Sequence, residues 1–126
     1  MTVSKKKLAI RWLKNPAKHD YAAAERYLGL LFDAATVARH MKKLLRARGS
    51  KFQAKDLLRA SDLSPLNVSN SHIEQDRKKI AKGTPLSPIL LVRDSKNVKL
   101  IVADGYHRLC AAYSMDEDAT VPCWIE

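Results

Sequence analysis

The sequence predicts an α+β fold: a helical, basic N-terminal segment, residues 1–52, followed by a small mixed sheet with helices, residues 53–126. In the first two thirds of the chain, apolar residues recur at the three- and four-residue spacing of amphipathic helices. Beyond residue 83 the pattern changes to two apolar runs joined by a turn, then a helical stretch and a last short strand. A chain of 126 residues is of single-domain size and can bury a core without disulfides or metal.

The first half of the sequence contains signals for three helices. Residues 8–14 form the first candidate, ended by Asn15-Pro16 because proline disfavours a helical residue before it. Asp20 is the expected N-cap of the second. The third spans residues 34–48 and stops at Gly49. The expected inward-facing residues of the second and third helices are Tyr27, Leu28, Leu31, Phe32, Val37, Met41, Leu44 and Leu45.

Two more helices and three strands are predicted in the second half. A short helix follows Phe52 and breaks near Ser64-Pro65. Ser71, with Glu74 three residues later, has the pattern of a capping box, and Gly83 ends the helix that it begins. The remaining elements are strands at residues 87–94 and 98–104 joined by the turn DSKN, a helix at 105–115 with Leu109, Ala112 and Tyr113 inward, and a strand at 120–125.

The net charge of +10 is unevenly distributed. Residues 1–60 contain 15 Lys and Arg against 4 Asp and Glu, a net of +11, whereas residues 61–126 contain 8 against 9, a net of −1. This distribution favours an acidic partner such as DNA or RNA, bound by Lys42, Lys43, Arg46 and Arg48. The same charges also fit the solvated faces of ordinary helices.

The composition limits the cellular setting and the chemistry. No run of 18 apolar residues indicates a membrane span, and the basic start does not have the pattern of a signal peptide. Cys110 and Cys123 have the spacing of neither a zinc site nor a redox pair, so we expect two buried thiols in a reducing compartment, the cytoplasm. We expect His19, His40 and His72 to take no part in chemistry.

A strand-to-helix junction at Asp104-Gly105 carries the strongest functional signal. The first turn of a helix has unpaired backbone N–H groups and the positive end of the helix dipole, which together favour anions. Gly105 leaves room for a phosphate near the backbone, and His107 and Arg108 add a titratable ring and a permanent cation. The alternative is a plain turn capped by Asp104, with Tyr106 in the core and Arg108 on the surface.

Three segments around this junction resemble the ParB/sulfiredoxin superfamily. They are TPLSPILLV at residues 84–92, LIVADGYHRLCAAY at 100–113 and VPCWI at 121–125. In that family a strand leads into a Gly-x-[His/Arg]-Arg helix start, an alanine-rich helix and a Val-Pro or Ile-Pro strand. The likeness extends over about residues 55–125 and is greatest to small bacterial ParB-like proteins.

The resemblance implies a nucleotide or phosphate pocket, with Gly105, Tyr106, His107 and Arg108 on the phosphates. Members of the superfamily include sulfiredoxins, CTP-binding partition proteins, nucleases and enzymes that phosphorylate free serine with an Asp-Gly-x-His-Arg sequence. Sulfiredoxins place a cysteine between the glycine and the histidine. Tyr106 occupies that position here, so we do not expect sulfiredoxin activity.

The family geometry also places the helix SHIEQDRKKIAK, residues 71–82, beside the pocket. Gln75 and Lys79 are then expected to contact the phosphate or the nucleoside. Asp104 and His107 are the expected catalytic residues, ahead of Glu74 and Asp76 as a base or metal ligand. An exposed polar face is the alternative for this helix.

Two functions follow as expectations, and the alternative to both is a structural module in which the motif is vestigial. The first is binding of a nucleoside triphosphate or diphosphate with Mg²⁺, together with phosphate hydrolysis or transfer. The second is a partition-like adaptor without catalysis that binds nucleic acid through the basic helices. The sequence does not say which nucleotide binds, whether it is turned over, what the second substrate is or which residues hold a metal. It also leaves open the nucleic-acid specificity and the oligomeric state, for which a homodimer is one possibility.

Overall fold

A computed structural model describes residues 9–65 and 70–126, which form five helices and one four-stranded mixed sheet. The helices are α1 (Lys18–Leu28), α2 (Ala34–Arg46), α3 (Ala54–Ala60), α4 (Ser71–Lys82) and α5 (Tyr106–Met115). The strands are β1 (Gly49–Gln53), β2 (Ile89–Asp94), β3 (Lys99–Asp104) and β4 (Thr120–Ile125). The predicted α+β class is therefore confirmed for these residues.

The strands lie in the order β1-β4-β2-β3. β2 and β3 form an antiparallel hairpin, as the turn sequence predicts, and Asp94 accepts a hydrogen bond from the Asn97 amide side chain at 2.7 Å within that turn. α5 then crosses over to β4, which is parallel to β2. β4 also pairs antiparallel with β1. The crossover places α5 at the end of β3, where the Asp-Gly junction lies.

Helices cover both faces of the sheet. Successive side chains of a strand point to opposite faces. Ile89 and Leu91 of β2 join the core formed with α3, α4 and α5, whereas Leu90 and Val92 join the core formed with α1 and α2. All four side chains are fully buried. A strand that is apolar at every position is expected where helices cover both faces.

The predicted helix at residues 8–14 is wrong in its described part. Residues 9–14 are not helical, and Trp12 forms a parallel bridge with Leu86. Leu13 N donates to Leu86 O at 2.8 Å, and Leu86 N donates to Arg11 O at 2.9 Å. Pairing with a distant segment has replaced the local helix, and sequence periodicity does not register such pairing. Leu8 and the lysines at 5–7 lie outside the described residues.

Several helix boundaries also differ from the prediction. α1 begins at Lys18 with Ala17 as its N-cap, so Asp20 lies within the first turn, and its carboxylate accepts a hydrogen bond from Ala17 N at 3.2 Å. Because α1 ends at Leu28, the predicted stripe stops there. Leu28 is buried, but Tyr27 and Leu31 are exposed. Leu45 of α2 is 60% exposed instead of inward-facing.

In the second half, Asn70 caps α4 instead of Ser71. Its side chain accepts hydrogen bonds from His72 N and Ile73 N, whereas Gly83 ends the helix in the left-handed conformation, as predicted. The strand β1 was not predicted. It spans the expected boundary between residues 52 and 53 and pairs with β4 along its whole length.

The described helices do not include one that is long and apolar enough to cross a membrane. Cys110 and Cys123 are both buried, as expected, and neither forms a disulfide.

Candidate functional site

A cavity of about 290 Å³ lies where α4 meets the end of β3 and the start of α5. We call it the α4–α5 cavity. Its lining residues are His72, Gln75, Asp76, Lys79, Asp104, Gly105, Tyr106, His107 and Arg108. All the residues predicted from the sequence to contact phosphate or nucleoside are among them, as are the two expected catalytic residues. Of the other two carboxylates considered, Asp76 lines the cavity, whereas Glu74 is exposed and does not.

The α4 residues reach the cavity because they share one helical face. His72, Gln75, Asp76 and Lys79 are spaced by three, four and seven residues, so their side chains lie above one another. On the adjoining side of α4, Ile73 and Ile80 are buried in the core with α5. Apolar burial on one side therefore turns the polar face toward the junction.

Gly105 is required at the junction for two structural reasons. Its φ of +106° lies in the region that L-residues with side chains rarely adopt. A Cβ at this position would lie 2.6 Å from Ile89 Cδ1 and 2.8 Å from Arg108 Nη2. The glycine thus allows β3 to turn into α5 against a packed side chain, whether or not a phosphate approaches.

Arg108 binds protein groups at the edge of the cavity. Its Nε donates to Ser87 O at 2.9 Å, and its Nη2 donates to Pro88 O at 3.1 Å and to Asp104 Oδ2 at 3.0 Å. Asp20 Oδ2 lies 3.8 Å from the same Nη2. A cation in the first turn of a helix is expected to have an anionic partner. For Arg108, two carboxylates of the chain itself, Asp104 and Asp20, are that partner.

Two histidine rings lie together in the cavity. The centroids of His72 and His107 are 4.8 Å apart, and the His107 ring is also 5.7 Å from that of Tyr106. Burial, and then the neighbouring His72, lower the pKa of His107, while Asp76 acts in the opposite direction. The lowered pKa favours the neutral ring, which can accept a proton.

Both carboxylates of the cavity are less acidic than usual. Burial raises the pKa of Asp76, against the opposing effect of Lys79, whose Nζ lies 3.9 Å from Asp76 Oδ1. Burial also raises the pKa of Asp104; Arg108 opposes this effect and Asp20 adds to it. Shifted carboxyl and imidazole groups in one cavity are typical of sites that move protons.

Tyr106 lines the cavity and also contacts a segment outside it. Its hydroxyl donates a hydrogen bond to Ser64 O, which joins the start of α5 to the segment after α3. Burial raises the pKa of this hydroxyl, with a smaller contribution from Cys110. The phenol is thus a hydrogen-bond donor at neutral pH.

The cavity fits phosphate groups better than a whole nucleotide. Its volume is at the lower end of the roughly 300–1,000 Å³ typical of small-molecule sites, and its lining is polar apart from Gly105 and the Tyr106 ring. Within the described ranges there is no cluster of three or more His, Cys, Asp or Glu residues suited to holding a metal ion alone. Mg²⁺, however, needs only one or two carboxylates when phosphates complete its shell, and Asp76 and Asp104 can supply them.

The predicted nucleic-acid-binding residues lie elsewhere. Lys42 and Lys43 in α2, Arg46 at its end and Arg48 beyond it are all exposed. α2 packs on the face of the sheet opposite to α4 and α5. The structure therefore places the basic side chains and the cavity on different sides of the sheet.

Sequence reasoning missed two members of the site, His72 and Asp20. His72 could have been found from its position one helical turn before Asp76. Asp20 has no local signal, because the contact between α1 and Arg108 joins residues far apart in the chain. Comparisons of the chain with protein-family models, curated proteins and solved structures give no match in any of the three.

Proposed function

We propose that the chain binds the phosphate groups of a nucleotide in the α4–α5 cavity and belongs to the ParB/sulfiredoxin superfamily. The observation that supports this most directly is that Gln75 and Lys79 line the same cavity as the Asp-Gly-Tyr-His-Arg motif. The family resemblance implies this arrangement, and more than 20 residues separate the two segments in the chain.

The phosphate in this proposal contacts Lys79, Gln75 and the backbone N–H groups of the first turn of α5. Those N–H groups have no partner within the helix, and Gly105 has no side chain with which to cap them. Arg108 acts indirectly, since its contacts to Ser87, Pro88 and Asp104 hold that turn in place. Lys79 is thus the cation most available to the ligand, with its side chain 55% exposed.

Asp76 and Asp104 would repel a bare phosphate, and this is why we include Mg²⁺ in the proposal. When bound, Mg²⁺ supplies positive charge between carboxylates and phosphate oxygens. In the absence of metal, the raised pKa of both carboxyl groups reduces their repulsion of the phosphate, because each carboxyl then binds a proton more readily. Phosphate hydrolysis or transfer completes the proposal. The oxygen of a water or a substrate hydroxyl forms a bond to the terminal phosphorus, and the bond from that phosphorus to the bridging oxygen breaks, so that the rest of the nucleotide leaves with the electron pair. His107 accepts the proton of the attacking oxygen.

Thermal unfolding with and without ligand tests this proposal. The ligands are ATP, ADP, CTP and GTP, each with and without Mg²⁺, and tripolyphosphate as a probe of the phosphate contacts alone. At 100 times its dissociation constant a ligand stabilises the folded state by about 2.7 kcal/mol, which raises the midpoint by roughly 5–15 °C.

Lys79→Ala and its neighbour Lys78→Ala form a matched pair of variants. Both lysines are exposed on α4, but only Lys79 lines the cavity. The midpoint rise should shrink in Lys79→Ala and in His107→Ala and persist in Lys78→Ala. If no ligand shifts the midpoint of the wild type, or if both lysine variants respond alike, the cavity does not bind phosphate.

Nucleic-acid binding is the second candidate function, supported by the exposed Lys42, Lys43, Arg46 and Arg48. Each phosphate contact that these side chains make adds about 0.9 to the slope of log affinity against log salt for duplex DNA. Lys42→Ala/Lys43→Ala should reduce that slope by about 2, whereas Lys78→Ala/Lys79→Ala should leave it unchanged. Equal losses in the two double variants would indicate non-specific attraction to a basic protein. Because neither buried cysteine is in a disulfide, we propose the cytoplasm as the compartment for either function.

A further inference from the structure

A second cavity, of about 760 Å³, lies between residues 9–15, β1, β4 and the end of α5. We call it the indole cavity, because both tryptophans of the chain, Trp12 and Trp124, line it. Its lining shares no residue with that of the α4–α5 cavity. The two cavities lie at opposite ends of α5, whose 10 residues span about 15 Å. One small ligand therefore cannot occupy both sites.

The backbone places both tryptophans at the cavity. Trp12 lies on the extended segment that bridges to Leu86 through two main-chain hydrogen bonds. Trp124 pairs across the sheet with Gly49, and a Cβ at Gly49 would lie 3.0 Å from the indole Cη2. The missing side chain thus allows the ring to lie against β1. Trp12 packs against the core of α3, α4 and α5, and Trp124 packs against the core of α1 and α2. Partly buried aromatic side chains provide contact area at a small cost in conformational entropy.

Charged side chains line the cavity together with the indoles, and one of them shares a sheet face with Trp124. Lys51 pairs with Pro122, two residues from the Gly49–Trp124 pair, so the four residues share one face of the β1–β4 ladder. Lys51 and Lys14 line the cavity, and both are exposed. Asp116 also lines it, but its Oδ1 accepts a hydrogen bond from Asp118 N at 3.0 Å. The cavity thus contains two exposed cations and one carboxylate.

We infer that the indole cavity binds a flat aromatic ring that carries a phosphate group, in a molecule of about the size of a mononucleotide. The ring lies against Trp12 and Trp124, and the phosphate binds Lys14 and Lys51. The volume lies within the range of small-molecule sites, and aromatic stacking combined with a nearby cation is how proteins hold such rings. This site goes beyond the proposed function, because it uses another cavity and other residues.

Intrinsic tryptophan fluorescence reports on this cavity directly, since no tryptophan of the chain lies elsewhere. AMP and phenyl phosphate supply a ring with a phosphate from two chemical sources, adenosine and phenol supply the ring alone, and inorganic phosphate supplies the anion alone. We expect saturable quenching by AMP or phenyl phosphate, at concentrations at least tenfold lower than with adenosine, phenol or phosphate. If AMP binds more tightly than phenyl phosphate, the ligand is a nucleotide. If phenyl phosphate binds more tightly, the ligand is another aromatic phosphate.

Lysine variants separate this site from the α4–α5 cavity and from general attraction of anions. Lys51→Ala and Lys14→Ala should each weaken binding about tenfold, the effect of losing one charge-assisted hydrogen bond. Lys42→Ala, on exposed α2, and Lys79→Ala, in the α4–α5 cavity, should leave the affinity unchanged. Trp12→Phe and Trp124→Phe each leave one emitter, and the remaining emitter should still be quenched.

Three results would overturn the inference. The first is the absence of quenching by AMP and phenyl phosphate up to millimolar concentration in the folded protein. The second is equal weakening in Lys51→Ala and Lys42→Ala. The third is binding of a single-stranded decanucleotide more than tenfold tighter than that of both small ligands, which would indicate a nucleic-acid groove. If Lys79→Ala leaves the quenching affinity unchanged, the inference for the indole cavity holds even if the α4–α5 cavity does not bind phosphate.

Discussion

Replacing Arg108 with alanine should destabilise the protein whether or not a ligand is bound. The guanidinium donates to two main-chain carbonyls and to Asp104, and it lies 3.8 Å from Asp20. These contacts join the segment before β2, the end of β3, α1 and α5 at one point. Arg108→Ala removes all of them and leaves two carboxylates without their shared cation.

The magnitude follows from the burial of the three side chains. Removing one partner of a buried ion pair costs roughly 3–5 kcal/mol. Arg108 and Asp104 keep 18% and 16% of their side-chain surface exposed, while Asp20 keeps 4%. Because solvent reaches part of the pair, we expect a loss of about 3 kcal/mol, at the lower end of that range. For a domain of this size the unfolding midpoint then falls by roughly 10–15 °C.

Chemical and thermal denaturation of Arg108→Ala, Arg108→Lys and Arg59→Ala provide the measurement. Lysine keeps the charge but not the planar fork, so Arg108→Lys should lie between the wild type and Arg108→Ala. Arg59 is the matched control, because it is 3.2 Å from Asp56 but 85% exposed, and its loss should move the midpoint by less than about 3 °C. If Arg108→Ala unfolds like Arg59→Ala, the guanidinium does not hold the junction and is available to a ligand.

Three further predictions concern the junction and the surface of the fold. Gly105→Ala forces a side chain into a positive φ and against Ile89, and should lower the free energy of unfolding by about 2 kcal/mol or more, measured by urea denaturation; an unchanged midpoint would contradict the close packing. The pKa of His107 is lowered from 6.5, so the unfolded state binds more protons just below pH 6.5, and stability falls on acidification through that window. The wild type should therefore lose more stability between pH 7 and 5.5 than His107→Gln does, whereas equal losses would show that the ring titrates normally. Leu45→Lys should change the stability by less than about 0.5 kcal/mol, because Leu45 is 60% exposed, whereas the buried Leu44→Lys should unfold the protein.

Elements whose signals are local were predicted well. The β2–β3 hairpin follows from two apolar runs and a turn sequence, and the end of α4 from a glycine that adopts the left-handed conformation. All the residues that line the α4–α5 cavity except His72 were named from a motif and a family resemblance. Their meeting in one cavity agrees with that expectation, although phosphate binding itself stays a proposal.

Elements that depend on distant partners were not predicted. Residues 9–14 have apolar residues at near-helical spacing, but their backbone pairs with Leu86. β1 is mostly exposed and has no strong alternation, and it is a strand because β4 offers a free edge beside it. Both errors have one cause: hydrogen bonding to a remote segment provides the free energy that local propensity does not.

The sequence by itself determined the α+β class, the polar face of α4, the strand-to-helix junction at Gly105 and the basic character of the first half. These properties depend on side-chain type and spacing within a few residues. Only the tertiary structure decided that Arg108 binds Asp104 and Asp20, that His72 lies against His107, and that Trp12 and Trp124 line one cavity. Asp20 and Arg108 are 88 positions apart, His72 and His107 are 35 apart and the two tryptophans are 112 apart, and chain topology brings them together in a way that no local pattern records.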